Sequence, residues 1–184
     1  MTGRTSPGVG AVALGAVLAL AGCSATPGMP EPPSTVGENY PGTCTPPQFS
    51  WPSDFIESLP GEIDGVGTIV GLRLEYLDDG SWAWRIRSPA DREDLVGERV
   101  DDSSAGRDVL VDVQTFEVIA SQEVELTDAE QGAANAYAAA QASGEAWPSP
   151  LIVEMARVND GGAAVWRLTM CDTATNELSV VTAP

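Results

Sequence analysis

Hydrophobic positions fall into three regimes along this chain. An unbroken apolar run, VGAVALGAVLALA at 9–21, comes first. A stretch almost bare of large apolar side chains extends from there as far as Pro52. Beyond it apolar and polar positions alternate in short segments, the period of half-buried strands. VGTIVGLRLEYL (66–77) and SWAWRIRS (81–88) flank Asp78-Asp79-Gly80 and predict a hairpin. Alternation there puts Trp82, Trp84 and Ile86 on one face and Ala83, Arg85 and Arg87 on the other. DVLVDV (108–113) and FEVIASQEVEL (116–126) read as two further strands, and LIVEMARV, AAVWRLTM and NELSVV as three more. Residues 89–107 have no period and read as a loop.

Helical signals are fewer. PSDFIESLP (52–60) predicts a short helix entered at Ser53, with Phe55, Ile56 and Leu59 on one side and Pro60 ending it. LTDAEQGAANAYAAAQASG (126–144) predicts a single long helix: Thr127 and Glu130 form a capping box, and Gly144 with Pro148 stops it. Ala129, Ala133, Ala136, Tyr137 and Ala140 would make a narrow stripe lying close on a sheet.

Composition narrows the chemistry. With 27 acidic residues against 9 arginines, no lysine and no histidine, the net charge is −18. Without His or Lys there is no Ser/His/Asp triad, Cys/His pair, Ser/Lys dyad, Schiff base or imidazole metal ligand. The arginines are interleaved with acids and make no stripe for neutralising phosphates, so nucleic acid is not an expected partner.

The apolar run at 9–21 is shorter than the ~20 residues a spanning helix needs and fits a signal h-region, with Arg4 and the free amine ahead of it. Its carboxyl end, Leu20-Ala21-Gly22-Cys23, resembles the bacterial lipoprotein lipobox. That resemblance implies cleavage between Gly22 and Cys23, lipidation of Cys23, and anchoring of the chain on the extracytoplasmic face of a membrane. Ala19 and Ala21 also spell a plain secretory site, which would leave Cys23 as a thiol. The three cysteines bear on the choice: an odd number is unusual in an exported chain, and giving Cys23 to lipid leaves Cys44 and Cys171 free to pair. Two separate thiols are the alternative. The Pro-rich stretch from 24 to 52 reads as a flexible tether, whose part up to Cys44 could hold the rest of the chain roughly 25 Å from the membrane as coil or about 60 Å if extended.

Helix-then-strands occurs twice, and the local sequence repeats with it. LRLEYLDDG (72–80) aligns without gaps on VEMARVNDG (153–161), and Trp84-Arg85-Ile86 falls on Trp166-Arg167-Leu168 after a one-residue slip. DVQTFEV (112–118) and DTATNEL (172–178) share D-x-x-T-x-E. This layout resembles the PepSY family of small α+β modules. The resemblance implies an α+β fold in which a helix packs on an antiparallel sheet, as two PepSY-like units in tandem. The expected organisation is a signal peptide at 1–22, a lipidated Cys and tether at 23–51, and units at 52–126 and 127–184. The family's closing-turn glycine is replaced by Phe116 in one half and Asn176 in the other. Asn tolerates a positive φ and Phe does not readily, so the first turn is expected to be built differently.

The function implied is a noncatalytic binding module of the cell envelope that interacts with or restrains a protease; a solute- or calcium-binding lipoprotein is the alternative. No catalytic residue, metal or cofactor is implied. Asp78, Asp79, Asp101, Asp102, Asn159 and Asp160 supply oxygen ligands of the kind calcium takes, but lack the D-x-D-x-D-G spacing, and turns need these residues anyway. Trp82, Trp84 and Trp166 read as a buried sheet face, with a ligand platform as the alternative. Arg85, Arg87 and Arg167 would share the opposite face, as a contact surface for a partner or as solvated positions paired with local acids.

Overall fold

The computed structural model describes residues 28–63, 65–90, 92–93, 99–100, 104–132 and 135–184. The leader, the cleavage site at Gly22 and Cys23, and the acids Asp101 and Asp102 lie outside them.

Alternating segments become strands where the sequence places them. β1 (Gly71–Tyr76), β2 (Trp82–Pro89), β5 (Ala105–Asp112), β6 (Val118–Glu125), β7 (Leu151–Asp160), β8 (Ala163–Asp172) and β9 (Glu177–Ala183) form one antiparallel sheet in the order β6-β5-β2-β1-β7-β8-β9. Two-residue strands β3 (Arg92–Glu93) and β4 (Arg99–Val100) pair with each other inside the segment expected to be loop. The hairpin turn at Asp78-Asp79-Gly80 closes with Gly80 at φ +85°, a conformation without cost for a residue lacking Cβ.

Register sorts the side chains into two faces, because directly opposed residues point the same way. On one face Val109, Ile86, Leu72, Met155, Leu168 and Val181 lie in a row, with Val111, Trp84 and Leu74 in the next. This is the main core, and Trp82, Trp84 and Trp166 are buried in it.

What covers that face departs from expectation. The fold is mostly antiparallel sheet with few short helices, and among the described residues no long helix packs on it, so the α+β reading of two helix-on-sheet units does not hold. Among the described residues the helices are α1 (Pro52–Phe55), α2 (Asp128–Gln131) and α3 (Ala136–Ala142), of 4, 4 and 7 residues. The capping box at Thr127 and Glu130 does form and starts α2, but Gly132 turns extended at φ −73°, ψ 163° and ends it. Asn135 then caps α3 by accepting from Ala138 N at 2.9 Å. Glycine's helix penalty of about 1 kcal/mol and a good N-cap three residues later favour two short helices over one. The stripe changes accordingly: Ala129, Ala136 and Ala140 are buried and Ala139 joins them, Tyr137 is exposed, and Ala133 lies outside the described residues. Side chains of α1 and of the loop after it complete the cover, with Phe55 packed on Trp84 at 5.6 Å between ring centroids, and Ile56, Leu59, Ile63 and Val66 in the same cluster.

The two expected units share this one sheet, joined where Gly71, Leu72 and Arg73 pair with Ala156, Met155 and Glu154. The sequence repeat marks equivalent turns. Asp112 Oδ1 accepts from the backbone N–H groups of Gln114 and Thr115, and Asp172 Oδ1 from those of Ala174 and Thr175. Phe116 and Asn176 both stand at positive φ, +57° and +60°. The first turn is therefore built like the second, contrary to expectation. Phe116 is held there by its ring, 5.2 Å from that of Phe55 at the edge of the core.

Candidate functional site

The second face of the sheet carries charge at its centre. Its rows read Leu110, Arg85, Arg73, Glu154, Thr169, Val180 and Asp108, Arg87, Gly71, Ala156, Arg167, Thr182. Arg85, Arg87 and Arg167 thus share a face, in three different settings. Arg85 is 5% exposed and grips Glu75, itself 3% exposed, through Nε at 2.5 Å and Nη2 at 2.9 Å. Arg87 makes a bidentate pair with Asp108, Nε to Oδ1 at 2.7 Å and Nη2 to Oδ2 at 2.9 Å, and reaches Glu130 of α2 at 3.1 Å. The Asp108 hydrogen bond, reinforced by the charges of Asp108 and Glu130 against the opposing effect of burial, holds the Arg87 guanidinium far above its ordinary pKa. Arg167 is exposed. Arg85 is therefore buried, Arg87 is half-buried and paired with local acids, and Arg167 lies open.

Arg85 is hidden by the segment expected to be a flexible tether. Residues 30–40 form a strap laid against the sheet. Arg85 Nη2 donates to Pro30 O at 2.7 Å and Arg73 Nη2 to Pro33 O at 2.6 Å. Proline lacks an N–H, so such a strap is rich in acceptors, and guanidinium groups are donors only; the two match. Further along, β1 loses its β7 partner beyond Arg73. There the strap supplies donors: Tyr40 Oη to Leu74 O at 2.7 Å, and Asn39 Nδ2 to Tyr76 O at 2.6 Å. Burial raises the Tyr40 pKa well above the usual phenol value, so the hydroxyl keeps the proton it donates.

Cys44 closes the strap by a disulfide to Cys171 of β8, with Cα atoms 5.9 Å apart. Cys44 N also donates to Asn176 Oδ1 at 3.2 Å, tying the strap's end to the β8–β9 turn.

Between the strap and α2 the polar face opens into a cleft of about 150 Å³, lined by Pro32, Gly71, Arg73, Arg85, Arg87, Glu130, Glu154 and Ala156. Arg73 and Arg85 stand directly opposite each other on β1 and β2. The sequence reading missed Arg73 and Glu154, because β1–β7 pairing joins segments some 80 residues apart. The signal available was an alternating charged face, with its arginines on two neighbouring strands.

The other candidates resolve into structure. Asp79 accepts from Ser81 N at 2.9 Å and Ser81 Oγ at 2.6 Å, closing its hairpin. Among the described residues, no three His, Cys, Asp or Glu side chains are grouped to hold a metal ion. The tryptophan platform is core, with Trp84 and Trp166 at 0% exposure.

No family model and no curated protein matches this chain. Among solved structures, a "putative lipoprotein" from Clostridium difficile 630 is similar over 62% of this chain and 81% of its own, with 14% identity and a TM-score of 0.28. A score that low carries no argument about fold or function. Without helix-on-sheet units among the described residues, the fold is not the one the PepSY resemblance implies.

Proposed function

We propose that this protein is exported, lipid-anchored through Cys23 on the extracytoplasmic face of a membrane, and acts there as a noncatalytic binding module. Cysteine parity carries the reading. Cys44 and Cys171 pair with each other, which leaves Cys23 as the odd cysteine, placed where the lipobox pattern requires it. A disulfide suits an oxidising compartment outside the cytoplasm. Two or more acyl chains, at about 0.8 kcal/mol per buried methylene, hold where one chain would not.

The test is the intact mass of the protein from the membrane fraction of a bacterial host. The expected product begins at Cys23 and carries diacylglyceryl with or without an N-acyl group, and a Cys23→Ala variant leaves the membrane fraction. An unmodified mature chain beginning at Gly22 would show that LALAGC directs plain secretion. The binding role is tested by crosslinking the full-length anchored protein in whole cells. A saturable partner or solute retained by the wild type supports it; turnover of an offered substrate refutes it.

A further inference from the structure

We propose that the cleft between the strap and α2 is a binding site for a small carboxylate, held between Arg73 and Arg85. This deepens the binding half of the reading above and does not depend on the lipid anchor.

Three observations converge on it. First, two like charges stand directly opposite on adjacent strands, which is unfavourable; Glu75 grips Arg85, and Glu154, opposite Arg73 on β7, is near it without making one of its hydrogen bonds. Second, the polar groups around the pair leave donors over. Glu75 is engaged by Arg85 Nε and Nη2, Asp108 takes both its hydrogen bonds from Arg87, and Glu154 accepts from Thr169 Oγ1 at 2.9 Å. Arg85 Nη1 and Arg73 Nε are buried with no hydrogen-bond partner. The Asp108 carboxylate lies 3.8 Å from Arg85 Nη1, near enough to moderate its charge but too far to bond. Buried, unpaired guanidinium N–H groups are costly, and an ionised acceptor answers them best. Third, there is room. Gly71 and Ala156 floor the cleft where longer side chains would fill it. A cavity of about 150 Å³ holds a molecule of roughly benzene size, so the ligand has about six non-hydrogen atoms or fewer.

The surroundings select its charge. Glu130 and Glu154 also line the cleft, so a singly charged carboxylate is opposed less than a dianion such as doubly ionised phosphate. Ligands with an ammonium group beside the carboxylate place it against these acids.

The experiment titrates the full-length protein, purified in non-ionic detergent, with acetate, propionate, glycine, propionamide and inorganic phosphate. It reads heat and the Arg Nε–H resonances by NMR. Saturable binding of at least one carboxylate is expected, ~tenfold or more tighter than propionamide or phosphate, with the Arg73 Nε–H signal moving on binding. Arg73→Gln weakens it ~tenfold or more, Ala156→Val removes it by filling the floor, and Arg167→Gln on the same face leaves it unchanged. If Arg73→Gln fails to fold, Ala156→Val and the NMR shift decide. Saturable binding of none of the carboxylates, propionamide binding as tightly as propionate, or tightest binding of phosphate overturns the proposal. Each of those results leaves the mass of the membrane-bound form, and hence the anchoring, untouched.

Discussion

Arg85 shows what a single side chain does in this fold. Its guanidinium is almost wholly removed from water, so its stability rests on Glu75 and on the strap carbonyl of Pro30. Glu75→Gln keeps the shape and removes the charge, leaving Arg85 inadequately paired. It is expected to cost about 3 kcal/mol in urea unfolding, with Glu75→Leu/Arg85→Leu together costing less than Glu75→Leu alone. A loss under 1 kcal/mol for Glu75→Gln would mean that water reaches the pair. Phe116 offers a cleaner comparison. At φ +57° a Cβ costs about 1 kcal/mol or more, so Phe116→Gly should be more stable than Phe116→Ala by about that amount, although both lose the ring. The usual order, Ala above Gly, would contradict the turn geometry.

Two carboxyl groups should titrate in opposite directions. Burial pushes Glu145 above its ordinary 4.5, against hydrogen bonds from Ser53 and from Ile152 N. Its protonated form is the better tolerated in the fold, so its contribution is fully present below pH 4.5 and falls as pH rises through the raised value. Asp112 is held below 3.8 chiefly by the Thr115 N–H, with Gln114 N–H adding to it against slight burial. Its contribution is present above pH 3.8 and is lost as pH falls through the lowered value. A carboxyl-carbon NMR titration that found Asp112 above Glu145 would contradict both environments.

At the scale of elements, the strap is the part whose role is least evident from composition. Its few apolar residues argue for coil, yet it is held by hydrogen bonds that the sheet cannot satisfy within itself. Tyr40→Phe keeps the ring 4.8 Å from Trp82 and removes the donor from Leu74 O. It should cost about 1 kcal/mol and speed hydrogen exchange in β1 more than in β8; uniform exchange would mean that the strap does not bear on β1. The strands themselves were legible, because period-2 alternation between turn signals is a local property. The turns at Gly80 and in the two D-x-x-T-x-E segments were legible for the same reason. The helix over 126–144 was misread where Gly132 interrupts it, since propensity and capping compete within a few residues there. The cleft was not legible, because it needs Arg73, Arg85, Glu154 and Glu130 brought together from four elements. The long-range β1–β7 pairing and the docking of α2 through Glu130 on Arg87 do that, beside the local β1–β2 hairpin.

For the molecule as a whole, the sheet runs unbroken through both halves, and one covalent link outside the backbone spans them. The disulfide joins residues 127 apart in sequence. Replacing both cysteines, Cys44→Ala with Cys171→Ala, is expected to lower stability by about 4 kcal/mol, because the unfolded chain regains the freedom of a long loop. Thermal or urea unfolding under matched conditions checks this, and an unchanged midpoint would mean that the loop closure contributes nothing.

The position of that link also decides how the protein would bear a pull. With an anchor at Cys23, tension enters through the strap and peels it from Pro30 towards Tyr40, one hydrogen bond at a time. At Cys44 the path leaves the backbone and crosses sulfur to β8. If the load leaves through β9, the residues between Cys44 and Cys171 carry none of it. The strap then acts as a short, replaceable fuse: stretching uncovers Arg73 and Arg85 before it strains a single strand of the sheet.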